Sequence, residues 1–100
     1  MRVLLGFLCL ASLTGCQSRG EALRVLCNAP NDCVECRTAD PANRATLIAQ
    51  YIAAHVSNSE VQEMFAALAY ADPAMRRSIV EREAAAEGIT ECPILDVFSE

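Results

Sequence analysis

Residues 40–58 read DPANRATLIAQYIAAHVSN, and this stretch contains both the start and the repeating apolar face of a helix. Asp40 suits the N-cap because its carboxylate accepts hydrogen bonds from the first unpaired N–H groups. Pro41 follows at the first helical position, where a missing N–H costs little. The large apolar residues then recur every three or four positions, which is the spacing of one helix face. They are Leu47, Ile48, Tyr51, Ile52 and Val56.

Two further helices are predicted downstream from the same kinds of signal. Ser59 and Gln62 have the spacing of a capping box, and Asp72-Pro73 repeats the start seen at Asp40. Gly88 is suited to the left-handed position that ends a helix. The apolar positions are Val61, Met64, Phe65, Leu68 and Ala69 in the first of these helices, and Met75, Ile79, Val80 and Ala86 in the second.

A shorter helix is predicted from about residue 21 to residue 27, with Leu23, Leu26 and Cys27 facing inward. Segment 93–98 is the only stretch that looks like a β-strand, and the sequence offers no strand to pair with it. The pattern therefore predicts an all-α fold, a small antiparallel helical bundle cross-linked by disulfides. It would have three main helices plus a short N-terminal helix.

Segment 93–98 has two possible roles. Four of its side chains are apolar, and they either fold back as a lid on the core or stay exposed as a strip that binds a partner. Cys92 directly precedes the segment, and a disulfide there would hold the segment against the bundle. We therefore favour the lid.

The composition limits the size and excludes some classes of protein. A chain of 100 residues holds one domain at most, and 53% hydrophobic residues is too many for a disordered tail. Thirteen acidic residues oppose eight basic ones, which are all arginines, for a net charge of -5. We therefore expect no nucleic-acid partner, because no basic surface is available to neutralise phosphates.

The first residues have the layout of a secretory signal peptide. Arg2 precedes an apolar run that is shorter than the roughly 20 residues of a membrane-spanning helix. Residues 13–16 read LTGC, and this stretch resembles the lipobox of bacterial lipoproteins. The resemblance implies removal of residues 1–15 as a signal peptide. It also implies diacylglycerol on the thiol of Cys16 and a further acyl chain, such as palmitate, on its new amino group.

The same resemblance implies a location and a domain division. In this family an Asp directly after the lipidated cysteine often retains the protein in the inner membrane, whereas position 17 here is Gln. We therefore expect the outer membrane, with the protein facing the periplasm and bound to the membrane through its lipid anchor. Residues 16–20 would then be the lipidated cysteine and a short tether, and residues 21–100 the helical domain.

Four of the six cysteines remain when Cys9 leaves with the signal peptide and Cys16 carries lipid. An even number of cysteines in a small exported domain predicts disulfides, here two, with three possible pairings. Whichever partner Cys92 has, its bond ties the C-terminal end to the N-terminal segment. The candidates are Cys27, Cys33, Cys36 and Cys92.

Two other roles for these cysteines are weighed against structural disulfides. The spacing Cys33-x-x-Cys36 occurs in redox proteins, but the neighbouring acidic residues Asp32 and Glu35 disfavour a thiolate and the usual strand–helix context is missing. The four cysteines could also ligate zinc, but a second C-x-x-C or a paired-histidine motif is absent. Structural disulfides are therefore favoured.

No catalytic, cofactor or metal site is predicted. His55 is the only histidine, and we interpret it as a residue near a helix C-terminus, where a positive charge is favourable, rather than as a catalytic base. The sequence predicts a non-catalytic interaction or structural module of the cell envelope with an unidentified envelope protein as its partner. The alternative is a thiol–disulfide redox protein that uses Cys33 and Cys36.

Overall fold

The computed structural model describes residues 17–98, so the predicted signal peptide and the predicted lipidation site Cys16 lie outside the described residues. The described chain forms six helices and no strand, which confirms the all-α bundle. The helices are α1 (Arg19–Asp32), α2 (Val34–Thr38), α3 (Pro41–His55), α4 (Ser59–Leu68), α5 (Pro73–Ala86) and α6 (Ile94–Val97).

The N-terminal helix is the central element of the bundle. Helix α1 packs against all five other helices, and it is 14 residues long, twice the predicted length. It begins early because Ser18 and Glu21 form a reciprocal capping box. The Ser18 hydroxyl accepts a hydrogen bond from Glu21 N at 3.1 Å, and the Glu21 carboxylate accepts one from Ser18 N at 2.8 Å. Its inward residues Ala22, Leu23, Leu26, Cys27 and Ala29 are fully buried.

The starts of α3 and α5 follow the predicted aspartate–proline pattern. The Asp40 carboxylate accepts from Asn43 N at 3.2 Å, and the Asp72 carboxylate accepts from Met75 N at 2.8 Å. The capping box expected at Ser59 is wrong. Asn58 caps α4 instead, one residue earlier, because its side-chain oxygen reaches Val61 N at 3.1 Å.

The segment after Cys92 is helical and forms a lid on the core. The β-like interpretation of residues 93–98 is therefore wrong, because residues 94–97 form the single turn of α6. Ile94 is 1% exposed and belongs to the core, and Leu95, Val97 and Phe98 pack partly buried against it. Arg77 in α5 donates a hydrogen bond to Leu95 O at 3.0 Å, which fixes the lid to the bundle.

The hydrophobic core is formed by residues of the described part of the chain. Fifteen buried hydrophobic residues between positions 22 and 94 form one cluster, and both disulfides lie within the same limits. Every cap of α1 to α5 is also made by residues from 18 onward. We therefore expect a chain that starts at residue 17 to fold without the preceding sixteen residues.

The end of α5 depends on one glycine. Gly88 has a φ of 74°, in the left-handed region, and the next residue turns back so that Ile89 N donates to Ala84 O at 2.9 Å. Gly88 N also donates to Ala85 O at 3.0 Å. These two bonds form a Schellman motif, which satisfies the last carbonyl groups of the helix.

Replacing Gly88 with Ala should lower the free energy of unfolding by about 1 kcal/mol, the cost of a left-handed conformation for a residue with a Cβ. The change tests the backbone alone, because an added Cβ would meet no atom within 4 Å. Urea denaturation of wild type, Gly88→Ala and Gly88→Asn measures the change in the free energy of unfolding. Asn should be the less harmful change because it tolerates the left-handed conformation. Equal stability of wild type and Gly88→Ala would show that α5 does not end in this motif.

Candidate functional site

The first of the two disulfides within residues 17–98 joins the centre of the fold to the lid. Cys27 in α1 and Cys92 before α6 are paired, with their Cα atoms 4.4 Å apart and the two residues 65 positions apart in the sequence. Cys27 is fully buried, and Cys92 is partly buried against the core. The bond closes a loop that contains most of the domain.

The second disulfide closes the C-x-x-C spacing at the junction of α1 and α2. Cys33 and Cys36 are paired with a Cα–Cα distance of 5.2 Å. Cys33 is also the N-cap of α2, and its sulfur accepts a hydrogen bond from Cys36 N at 3.2 Å. Cys33 is 5% exposed and Cys36 is 0% exposed, so a reductant or a partner thiol has little access to either sulfur.

Among residues 17–98, no group of three or more His, Cys, Asp or Glu side chains is placed to hold a metal ion. The zinc alternative needs four thiolates, whereas the four sulfurs are bonded to one another in pairs. The geometry of the cysteines therefore suits a covalent cross-link.

His55 lies where the sequence predicts it, at the C-terminus of a helix. It is the last residue of α3, and its Nδ1 lies 2.8 Å from Tyr51 O. Its ring stacks on the Tyr51 ring with centroids 4.0 Å apart. The residues near it, Ser57 and Asn58, form backbone and capping hydrogen bonds. These contacts are those of a residue that ends a helix.

Gln17 is held by three hydrogen bonds that connect it to the loop between α3 and α4. Its side-chain amide donates to His55 O at 3.1 Å and accepts from Ser57 N at 2.9 Å. Its backbone carbonyl accepts from the Asn58 side chain at 3.1 Å. The structure thus differs from the predicted tether, because residues 17–20 consist of this docked glutamine, the Ser18 cap and the first turn of α1.

No pattern in the sequence reveals these bonds. The paired residues lie 38 to 41 positions apart, and a single glutamine carries no local signal for a long-range contact.

A groove of about 520 Å³ lies between α3, α4, the start of α5 and α6. Three buried core residues, Ile48, Leu68 and Ile94, form its floor. Thirteen residues within 17–98 line it, and all of them are apolar except Thr46 and Arg76. The sequence contains a partial signal for this groove, since alanines recur at helical spacing on α3 and α4, but alanines alone do not distinguish a groove from close packing.

Comparisons with protein-family models, with curated proteins and with solved structures found no match for this chain. Across residues 17–98, no helix is both long enough and apolar enough to cross a membrane.

The two disulfides should differ in their effect on stability. The loop-entropy relation gives about 4 kcal/mol for the Cys27–Cys92 loop and about 2 kcal/mol for the short Cys33–Cys36 loop. Replacing Cys27 and Cys92 together with Ala should therefore lower the Tm by more than ~10 °C, since 1 kcal/mol corresponds to roughly 4–8 °C in a domain of this size. The double variant of Cys33 and Cys36 is the matched control.

Thermal unfolding followed by circular dichroism under oxidising conditions measures both double variants. The Tm of the control should fall by about half as much as the Tm of the Cys27–Cys92 variant. A larger loss in the control, or no loss in either, would contradict the idea that the long-range bond stabilises the fold.

Proposed function

We propose that this protein is a lipid-anchored lipoprotein of the bacterial cell envelope, and that its helical domain is a non-catalytic structural or interaction module. The observation that carries the proposal is that all four cysteines downstream of the LTGC box are paired in two disulfides. Disulfides persist in oxidising compartments such as the periplasm, so this pairing supports export. Export is also the role of the signal peptide that the first residues resemble.

The docking of Gln17 supports a rigid attachment to the membrane. Gln17 is hydrogen-bonded to the α3–α4 loop, so the domain begins one residue after the lipidated Cys16. One extended residue spans about 3.5 Å. The lipid is therefore attached beside this loop, and the loop and the N-terminus of α1 face the bilayer.

The mature chain is acidic, so its binding to the membrane depends on the lipid. Without residues 1–15 the chain has 13 acidic residues and 7 arginines, since Arg2 is removed, which gives a side-chain charge of 7 − 13 = −6. An acidic domain is repelled by anionic lipid headgroups. The acyl chains on Cys16 supply the attraction, and more than one chain gives stable anchoring.

The burial of Cys33 and Cys36 supports a structural role for this pair over a redox role. Thiol–disulfide exchange requires a thiolate to approach a sulfur in line with the bond that breaks. A cavity of about 280 Å³ adjoins Cys36, but the residue itself exposes no surface. The pair instead fixes the turn between α1 and α2.

The lipidation of Cys16 is tested by replacing Cys16 with Ser in the full chain, with Cys9→Ser as the matched control. The Cys16→Ser variant should accumulate as uncleaved precursor and incorporate no radiolabelled palmitate, because serine has no thiol to accept diacylglycerol. The Cys9→Ser variant should be processed and labelled like wild type. Cleavage of the Cys16→Ser chain at the same place, or labelling of it, would contradict the lipoprotein proposal.

The close attachment is tested with the variant His55→Trp. The chain has no tryptophan of its own, so the fluorescence reports on this position alone. In lipidated protein on vesicles, headgroup-labelled quencher lipids should quench this tryptophan strongly. Adding Gln17→Ala, which removes two of the three bonds to the loop, should weaken the quenching by at least twofold. Gln50→Ala, an exposed glutamine on α3, should leave it unchanged.

Equal quenching with and without Gln17→Ala would show that Gln17 does not hold this face against the bilayer. Lipid labelling of the same samples separates that outcome from a failure of anchoring.

A further inference from the structure

The groove between α3, α4, α5 and α6 reaches the hydrophobic core. Its floor consists of Ile48, Leu68 and Ile94, none of which is more than 3% exposed, and half-buried Phe65 and Phe98 also line it. A volume of about 520 Å³ lies within the roughly 300–1,000 Å³ of small-molecule pockets. An apolar chain in this groove would contact these core residues.

Among the described residues that line the groove, one side chain is charged, and it is positive in an acidic protein. Arg76, near the start of α5, donates from Nε to Leu68 O at 2.8 Å. Within residues 17–98, its side chain makes no further hydrogen bond and no ion pair. The bond from Nε fixes the plane of the guanidinium group and leaves both terminal nitrogens to donate to another group.

A planar guanidinium with two terminal donors matches the two oxygens of a carboxylate. The second polar lining residue, Thr46, adds a hydroxyl on α3. An apolar groove with a few polar groups is the usual composition of a site for an amphipathic small molecule, since the polar groups orient the ligand.

We propose that this groove binds a long-chain fatty acid, with its hydrocarbon chain on Ile48, Leu68 and Ile94 and its carboxylate on Arg76. The charge of the groove favours this occupant over a neutral or cationic amphiphile. Ala45 on α3 and Ala66 on α4 are exposed residues that also line the groove, and their small side chains do not fill it. The proposal concerns the groove alone, so it holds whether or not Cys16 carries lipid.

Isothermal titration of the chain starting at residue 17 with dodecanoate tests the proposal, after circular dichroism has shown that this chain is folded. Dodecan-1-ol and dodecyltrimethylammonium are the comparison ligands. Dodecanoate should bind with one site and at least tenfold more tightly than either comparison ligand. Equal affinities for dodecanoate and dodecyltrimethylammonium would overturn the proposal, because Arg76 would then contribute nothing.

Two pairs of variants locate the site. Arg76→Gln should weaken dodecanoate binding at least tenfold, whereas Arg82→Gln, an exposed arginine on the same helix, should not change it. Ala45→Trp should block the groove, whereas Ala53→Trp, an exposed alanine farther along α3, should not. Unchanged binding by Arg76→Gln or by Ala45→Trp, in variants with the circular dichroism spectrum of wild type, would overturn the assignment.

The groove has one competing occupant, a second copy of the chain. Sedimentation velocity without ligand distinguishes a monomer from a dimer that places a second copy in the groove. A monomer that binds dodecanoate supports the proposal. A dimer that Ala45→Trp dissociates, together with no dodecanoate binding, would assign the groove to a protein interface and overturn the proposal.

Discussion

The bond between Cys27 and Cys92 is the constraint on which the rest of the structure depends. It joins the central helix α1 to the residue before α6 and closes a loop of most of the domain. In the described part of the chain, fifteen buried residues, several of them alanine or cysteine, make a small core. Small domains bury a smaller share of their surface and are stable by only about 5 kcal/mol or a little more. A cross-link that contributes about 4 kcal/mol is therefore comparable with the whole stability.

The same bond sets the position of the lid and, through it, the shape of the groove. Cys92 lies two residues before Ile94, which fills the core, and Val97 and Phe98 form one wall of the groove. A single turn of helix such as α6 is not stable in isolation, because too few hydrogen bonds compensate for ordering it. The disulfide on one side and the bond from Arg77 to Leu95 O on the other hold it in place. The groove thus depends on residues that never touch a ligand.

Local signals in the sequence predicted the helix starts at Asp40 and Asp72 and the stop at Gly88, because the capping residues lie within three positions of their partners. They did not predict the central place of α1. That helix has few large apolar side chains, and its importance comes from contacts with the five other described helices. The disulfide pairing, the bonds of Gln17 and the groove also depend on residues far apart in the chain. Such contacts are set by tertiary packing, which no local pattern encodes.

The pairing of the cysteines is the central claim, and peptide mapping of the unreduced protein tests it most directly. Cleavage at arginine residues and before Asp32 separates Cys27 from Cys33 and Cys36, and Cys92 lies on a peptide after Arg82. Mass spectrometry should find residues 25–31 linked to the peptide of Cys92, and residues 32–37 lighter by two hydrogens because of the internal bond. Peptide 32–37 linked to the peptide of Cys92, or free thiols at these positions, would contradict the account.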